Sequence, residues 1–324
     1  MKKISIITIT LNNFKTIEQT IKSVLDQNYP NLEYIMIDGG STDGTLEILD
    51  RYKSKFAYFK SSPDKGVFDA MNKGSAKASG YIVGFVNGGD FLYENALNKV
   101  QEAFSNQKTN LFFSVAEVDY IDEKDNVVGS KIPRPTEQIL KRRFIEMPAN
   151  HLGIFLPLKA FKKFGFFDLR FPIRADYFLV LKLIDEGYMP LNLKKKIGGF
   201  RLGGQSGGYS TFFENYEILR LTGGNFFIAI YSTVLGVTKY FFQKNLPFIY
   251  KYVVQIYYKL NNNIHKKEIF SIRDINILHI IDSDSGGGAE KLVSIIQQNF
   301  ENNQKVLTLK KLSEKNKFNS NYKS

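Results

Sequence analysis

The sequence has no cysteine, no tryptophan and only three histidines in 324 residues. Without cysteine there can be neither a disulfide frame nor a thiolate metal site, a composition that suits the cytoplasm. A cleavable leader is not indicated. The N-terminus, MKKISIITITLNN, offers two lysines and an apolar run of only eight residues, broken by Ser5, Thr8 and Thr10, with no small-residue cleavage site. It reads as a first buried strand. Long apolar runs are scarce too. The best, Phe226 to Phe242, contains Lys239 and is marginal against the about 20 residues that a spanning helix needs. Also missing is a glycine-rich, Arg- or Lys-bearing loop after the first strand, which a nucleotidyltransferase would use to hold a triphosphate. No signature of a covalent nucleophile and no nucleic-acid-binding motif is present.

What is present is globular. Apolar residues make up 43% and aromatics 14%, enough for a full core in one large domain or two ordinary ones. The net charge is +12. Between Leu191 and Asp274 twelve Lys or Arg stand against four Asp or Glu, so two thirds of the excess lies there. A local excess points to an anionic surface, and its interleaving with aromatics favours phospholipid over nucleic acid.

Periodicity orders the first part of the chain. Lys3 to Thr10 predicts a strand. Phe14, Ile17, Ile21, Val24 and Leu25 follow at helical spacing, with Asn12 or Asn13 as cap. Leu32 to Ile37 predicts a second strand, Leu46, Leu49 and Tyr52 a second helix, and Phe56 to Lys60 a third strand. Residues 61–90 then read as loop, helix, strand and a glycine-lined carboxylate, Asn87-Gly88-Gly89-Asp90. This alternation predicts an α/β fold, a parallel sheet with helices on its faces, whose ligands bind beyond the C-terminal strand ends. Further on, Leu97, Val100 and Phe104 predict a helix. Leu111 to Val118 and His151 to Leu156 predict strands, Asp122 to Asn126 a hairpin turn, and Arg174-Ala175-Asp176 the start of a helix. Pro133-Arg134-Pro135 reads as extended, and Gly198 to Gly208 as a mobile, glycine-rich loop.

In order and spacing, six stretches resemble the family 2 glycosyltransferases of GT-A fold. They are Thr8-Ile9-Thr10-Leu11-Asn12, Asp38-Gly39-Gly40-Ser41-Thr42-Asp43-Gly44-Thr45, Asp64-Lys65-Gly66, Asp69-Ala70-Met71-Asn72-Lys73-Gly74, Asn87-Gly88-Gly89-Asp90 and Ala175-Asp176-Tyr177. The nearest branch builds bacterial exopolysaccharides of the colanic-acid type. The resemblance implies an inverting transfer from a nucleotide sugar, expected to be a UDP-sugar. The acceptor would be a growing polysaccharide or an undecaprenyl-diphosphate-linked glycan. The enzyme would be peripheral on the inner face of the plasma membrane, with no nucleic-acid partner. A departing diphosphate is best neutralised by a hard cation on oxygen ligands, so Mg²⁺ or Mn²⁺ is the implied cofactor.

The resemblance also assigns residues. Asp90 matches the metal-binding carboxylate, with Gly89 where most relatives have a second aspartate. Asp38 matches the aspartate that accepts a hydrogen bond from uracil, with Gly39 where another aspartate is usual. Thr8, Thr10, Asp64, Lys65, Asn72, Asn87 and His151 are the remaining expected donor contacts. Asp176 matches the base that takes the acceptor proton. Arg174, Arg201 and Gln205 are expected at the acceptor or in a lid. Plain structural alternatives stand beside these: an Asx turn for Asp38, a solvated lysine for Lys65, a surface polar residue for Asn72, a core histidine for His151 and a helix cap for Asp176. Gly39 and Gly89 also leave open a catalytically impaired member that only binds.

Asn225 to Leu260 is aromatic and basic and is expected to lie in a membrane interface; two helices packed on the catalytic domain are the alternative. Ile275 to Lys310 reads as strand, Gly286-Gly287-Gly288, helix, strand, and looks like the opening of a family 4 glycosyltransferase of GT-B fold. One such unit buries little core. The expected division is a catalytic domain at 1–210, a basic aromatic segment at 211–270, and a truncated, inactive fragment at 271–324.

Overall fold

The computed structural model describes residues 1–107, 111–203 and 210–224, with six isolated positions between 230 and 246. Gln205, the body of the expected membrane-facing segment and the GT-B-like fragment lie outside the described residues.

The first half alternates as its periodicity predicts: β1 (Ile4–Thr10), α1 (Ile17–Leu25), β2 (Leu32–Asp38), α2 (Thr45–Tyr52), β3 (Tyr58–Ser61), α3 (Val67–Lys77) and β4 (Ile82–Phe85). The chain continues through β5 (Phe91–Leu92), α4 (Ala96–Ser105), β6 (Phe112–Ile121), β7 (Val127–Lys131), α5 (Thr136–Arg142), β8 (Ile154–Pro157), α6 (Leu158–Lys163), α7 (Ala175–Asp185), β9 (Met189–Arg201) and α8 (Ser210–Leu221). The strands form one sheet in the order β3-β2-β1-β4-β8-β6-β9-β5, with β7 paired to β6. The pairings among β3, β2, β1 and β4 are parallel, and β8 joins β4 antiparallel. In register, Thr10 faces Asp38 and Asp38 faces Ser61, so three polar strand ends line up at one sheet edge.

Every residue of β1 is buried, as expected of a parallel strand covered on both faces. Ile4 and Ile6 join Tyr34, Met36 and the apolar stripes of α1 and α4 on one side. Ile7 and Ile9 join Ile35, Ile37, α3 and α7 on the other. Gly74 lets α3 come close: a Cβ there would lie 2.5 Å from Ile7 Cγ2.

Four local expectations change. α1 starts at Ile17 behind Thr16, not at an asparagine cap. Asn12 instead adopts φ 53° and ties the β1 end to the next loop, its N–H donating to Ser41 Oγ and its Oδ1 accepting from Thr42 N–H. Phe14 is half exposed rather than in the core. Gly198 and Gly199, expected in a mobile loop, belong to β9, where added Cβ atoms would strike the Phe91 carbonyl and ring at 2.4 and 2.6 Å. Crowding against β5, not mobility, accounts for them. Pro133 to Pro135 is extended as expected, and the change is α5, a helix directly after it where periodicity predicts no element.

Candidate functional site

The loop after β2 is built by Asp38. The residue is fully buried, and its carboxylate accepts from Gly40 N–H at 2.9 Å, Ser41 N–H at 3.0 Å, Ser61 Oγ at 2.6 Å and Ser41 Oγ. This is the Asx-turn arrangement, reinforced across the sheet by β3. With four donors and no exposure, Asp38 is not open to a ligand in this conformation. A second carboxylate stands nearby. Asp64 Oδ1 accepts from Gly66 N–H at 2.8 Å, while its Oδ2 lies 2.6 Å from where a Cβ on Gly39 would be. The missing aspartate at position 39 thus leaves the room that the Asp64 carboxylate takes.

Beyond β4, Asn87 to Asp90 form a tight turn. Asp90 N–H donates to the Asn87 carbonyl at 2.9 Å. Thr20 Oγ1, from α1, accepts from Gly89 N–H at 3.0 Å and donates to the Asp90 carbonyl at 2.7 Å. Gly88 is required by crowding, since a Cβ would meet Thr10 Oγ1 at 2.7 Å. Gly89 has φ 102° with nothing nearer than 3.6 Å to an added Cβ, so backbone strain rather than space disfavours a side chain there. The Asp90 side chain is 4% exposed. Its Oδ1 accepts from Arg201 N–H at 3.0 Å, and its Oδ2, like Asn87 Oδ1, is buried without a partner. Burial raises the Asp90 carboxyl above the usual range, against the pull of His151 and Arg201.

His151 opens the turn before β8. Its Nε2 lies 2.9 Å from Asn87 Nδ2 and 3.6 Å from Asp90 Oδ2, and its ring stands edge-on to Phe200. Asp176 is in the first turn of α7, and its Oδ1 accepts only from the adjacent Tyr177 N–H. Burial pushes its carboxyl up, with the charges of His151 and Arg174 opposing. His151 therefore lies within electrostatic reach of both carboxylates. Arg174 stacks its guanidinium 4.8 Å from the Tyr177 ring and leaves Nε buried without a partner. Sequence periodicity did not single out Glu214, on α8, which accepts from the N–H groups of Ile173 and Arg174 at 3.1 and 2.9 Å. No motif marks it, and the contact spans 40 residues.

The remaining expected residues, Lys65 apart, take structural places. Arg201 spends its guanidinium on the carbonyls of Gly89 and Asp122, on Gln19 Oε1 and on Asp125. It clamps the Asp90 turn and is not a free lid residue. Asn72 uses both ends of its amide on the Phe167 backbone, at 2.8 and 2.9 Å, so it is a clasp between α3 and the segment before α7. Thr8 is fully buried against Tyr34 Oη, facing the core rather than a ligand. Thr10 Oγ1 accepts from Asn13 Nδ2 at 3.1 Å. Lys65 is exposed, and its N–H donates to Asp69.

Among the described residues no three His, Cys, Asp or Glu side chains gather as a metal cage. The two unpartnered buried oxygens of Asp90 and Asn87 nonetheless fit a hard cation whose other ligands come from a substrate.

Residues 5–164 match the family model for glycosyl transferase family 2. The chain is 33% identical over 183 residues to an uncharacterized glycosyltransferase of Mycobacterium tuberculosis, covering 55% of this chain and 68% of that protein. It is 28% identical over 199 residues to an Escherichia coli UDP-Glc:alpha-D-GlcNAc-diphosphoundecaprenol beta-1,3-glucosyltransferase, covering 59% and 74%. Among solved structures, S. aureus TarS 1–349 in complex with UDP superposes with a TM-score of 0.54 at 16% identity, covering 75% of this chain and 73% of that one. GalNAc-T7 with UDP, GalNAc and Mn²⁺ superposes at 0.53 and 18% identity, covering 68% and 48%. The fold is GT-A, and the chain belongs to glycosyl transferase family 2.

Proposed function

We propose that the residues gathered at this sheet edge transfer a sugar, with inversion, from a UDP-sugar to a polysaccharide or lipid-linked glycan acceptor in cell-surface polysaccharide synthesis. One observation carries the reading: the buried, unpartnered oxygens of Asp90 and Asn87 at the C-terminal edge of the parallel sheet, with His151 beside them. Buried acceptors without donors are costly, and their persistence beyond the strand ends points to a cationic ligand. Mg²⁺ or Mn²⁺ held by Asp90 would neutralise the departing diphosphate. Asp64, on the loop after β3 and beside the loop that Asp38 holds in shape, contacts the base or ribose. His151 faces the donor sugar.

Asp176 takes the proton of the acceptor hydroxyl, and the raised proton affinity that burial confers suits that role. A single displacement from the face opposite the diphosphate inverts the anomeric centre and needs no protein nucleophile. The E. coli relative is named for a UDP-glucose donor and a diphosphoundecaprenol-linked acceptor, which supports a UDP-sugar and a lipid-linked glycan here. No helix among the described residues is long and apolar enough to cross a membrane. The basic aromatic residues 225–260 hold the enzyme on the anionic inner face of the plasma membrane.

The test is a thermal-shift screen of UDP-glucose, UDP-galactose, UDP-GlcNAc and GDP-mannose with and without Mn²⁺, followed by release of nucleotide without acceptor. A UDP-sugar that stabilises the protein with Mn²⁺ and is slowly hydrolysed supports the reading. Stabilisation with no hydrolysis under any condition favours an impaired binder, a second reading motivated by Gly89 standing where a metal-site aspartate is usual.

A further inference from the structure

Helix α7 carries Asp176, whose carboxylate takes one first-turn amide, the N–H of Tyr177, and leaves the N-cap amide to another residue. Arg174 occupies the N-cap position and makes no side-chain capping bond. Asp176 reaches only the N–H of its immediate neighbour, Tyr177. The amides just before the helix, Ile173 and Arg174, donate instead to Glu214 Oε2, from α8. Glu214 is 8% exposed, and its other oxygen, Arg174 Nε and Thr211 Oγ1 are buried without partners. A carboxylate at a helix N-terminus satisfies free N–H groups and favours the dipole. Here that carboxylate arrives from another helix, beyond the residues matched by the family model.

We propose that Glu214 is a positioning residue for sugar transfer: by taking the Ile173 and Arg174 amides from α8 it holds the start of α7 in place and so fixes the Asp176 carboxylate for the acceptor hydroxyl. The inference rests on Asp176 being the base. Were Glu214 absent, the Ile173 and Arg174 amides would lose their acceptor, and the turn that presents the Asp176 carboxylate would lose its tie to α8. Asp176 is faced by Arg174 on its own segment, by His151 from the turn before β8 and by Glu214 from α8.

The experiment compares the full-length parent with Glu214→Ala and Glu214→Gln. Gln keeps an oxygen that accepts from both amides, so it separates the hydrogen bonds from the charge. Hydrogen exchange at Ile173 and Arg174 should quicken roughly fivefold or more in the Ala variant, as for a lost cap, and return toward the parent in the Gln variant. Hydrolysis of UDP-glucose, UDP-galactose or UDP-GlcNAc should fall about tenfold or more in Ala at unchanged UDP affinity, with most of it restored in Gln. Unmoved exchange overturns the cap. Faster exchange with parental turnover overturns the positioning role, as does a loss that Gln does not restore. A parent that hydrolyses none of the three sugars overturns the transferase reading itself, and the exchange measurement then reports on the cap alone. A Glu214→Ala chain that fails to fold leaves the Gln variant decisive, because near-parental exchange and turnover are required of it.

Discussion

The N–H of Arg201 donates to Oδ1 of Asp90 across 111 residues of sequence, at 3.0 Å. That bond, with the guanidinium clamp on Gly89, Asp122, Gln19 and Asp125, ties the end of β9 to the turn beyond β4 and leaves Oδ2, 3.6 Å from His151 Nε2, as the oxygen of Asp90 without a hydrogen-bond donor. Arg201→Ala keeps the backbone bond but strands the acceptors of the clamp. It should destabilise the fold by about 2 kcal/mol, read from urea midpoints, and should weaken UDP binding in the presence of Mn²⁺. An unchanged midpoint would show the clamp to be decorative.

Asp38 and Asp64 should separate by their phenotypes. Asp38→Asn removes charge from a carboxylate that takes four donors, and should lower stability by about 1–3 kcal/mol. Asp64→Asn should leave stability nearly intact and weaken UDP binding about tenfold or more, the value of a lost charge-assisted hydrogen bond. Gly39→Ala should mimic Asp64→Asn, because its Cβ would displace Asp64 Oδ2 from 2.6 Å. Calorimetric UDP titrations beside urea melts distinguish these outcomes. Equal loss of affinity in Asp38→Asn with no loss of stability would return the base contact to Asp38.

Much of the site's placement was legible before any coordinates. Strand periodicity put Thr10, Asp38 and Asp90 at or just beyond the C-terminal ends of parallel strands, and turn residues put Asp64 on the adjoining loop. What could not be read was how each polar group is spent. Asn72 looks equally available on a helix face, but both ends of its amide are used on Phe167, 95 residues away. Arg201 sits in a glycine-rich stretch that suggests a lid. Gly198 and Gly199 answer instead to Phe91, on another strand, whereas Gly203 meets nothing within 4 Å. β9 was hidden because three consecutive lysines and two glycines break its alternation. Glu214 carries no motif, since its meaning comes entirely from the helix it meets.

Acid should reveal the ion pair that closes the base of β1 and β2. Burial pushes the Glu33 carboxyl up, but bonds from Lys3, Ser5 and Ser79 outweigh it and hold it at about 2. A depressed carboxyl stabilises the fold above its unfolded value, 4.5, and that contribution is lost as pH falls from there toward about 2. The stability gap between parent and Glu33→Gln should be up to about 3 kcal/mol at pH 7 and should close progressively below pH 4.5. A gap that stays constant from pH 7 to pH 3 would refute this account of Glu33.

Asp176→Asn keeps the size of the side chain and an oxygen for Tyr177 N–H. Transfer should fall by roughly 10² to 10⁴, the usual worth of a general base, while donor affinity holds. Normal transfer in this variant would place the base elsewhere.

On the proposed reading, Asp90 anchors a divalent cation for the diphosphate of a UDP-sugar. The most direct measurement is UDP titration of the parent and of Asp90→Ala, each with and without Mn²⁺. The parent should bind UDP more tightly with Mn²⁺, and the variant should lose that difference while remaining folded. A variant whose UDP affinity matches the parent's under both conditions would contradict the account.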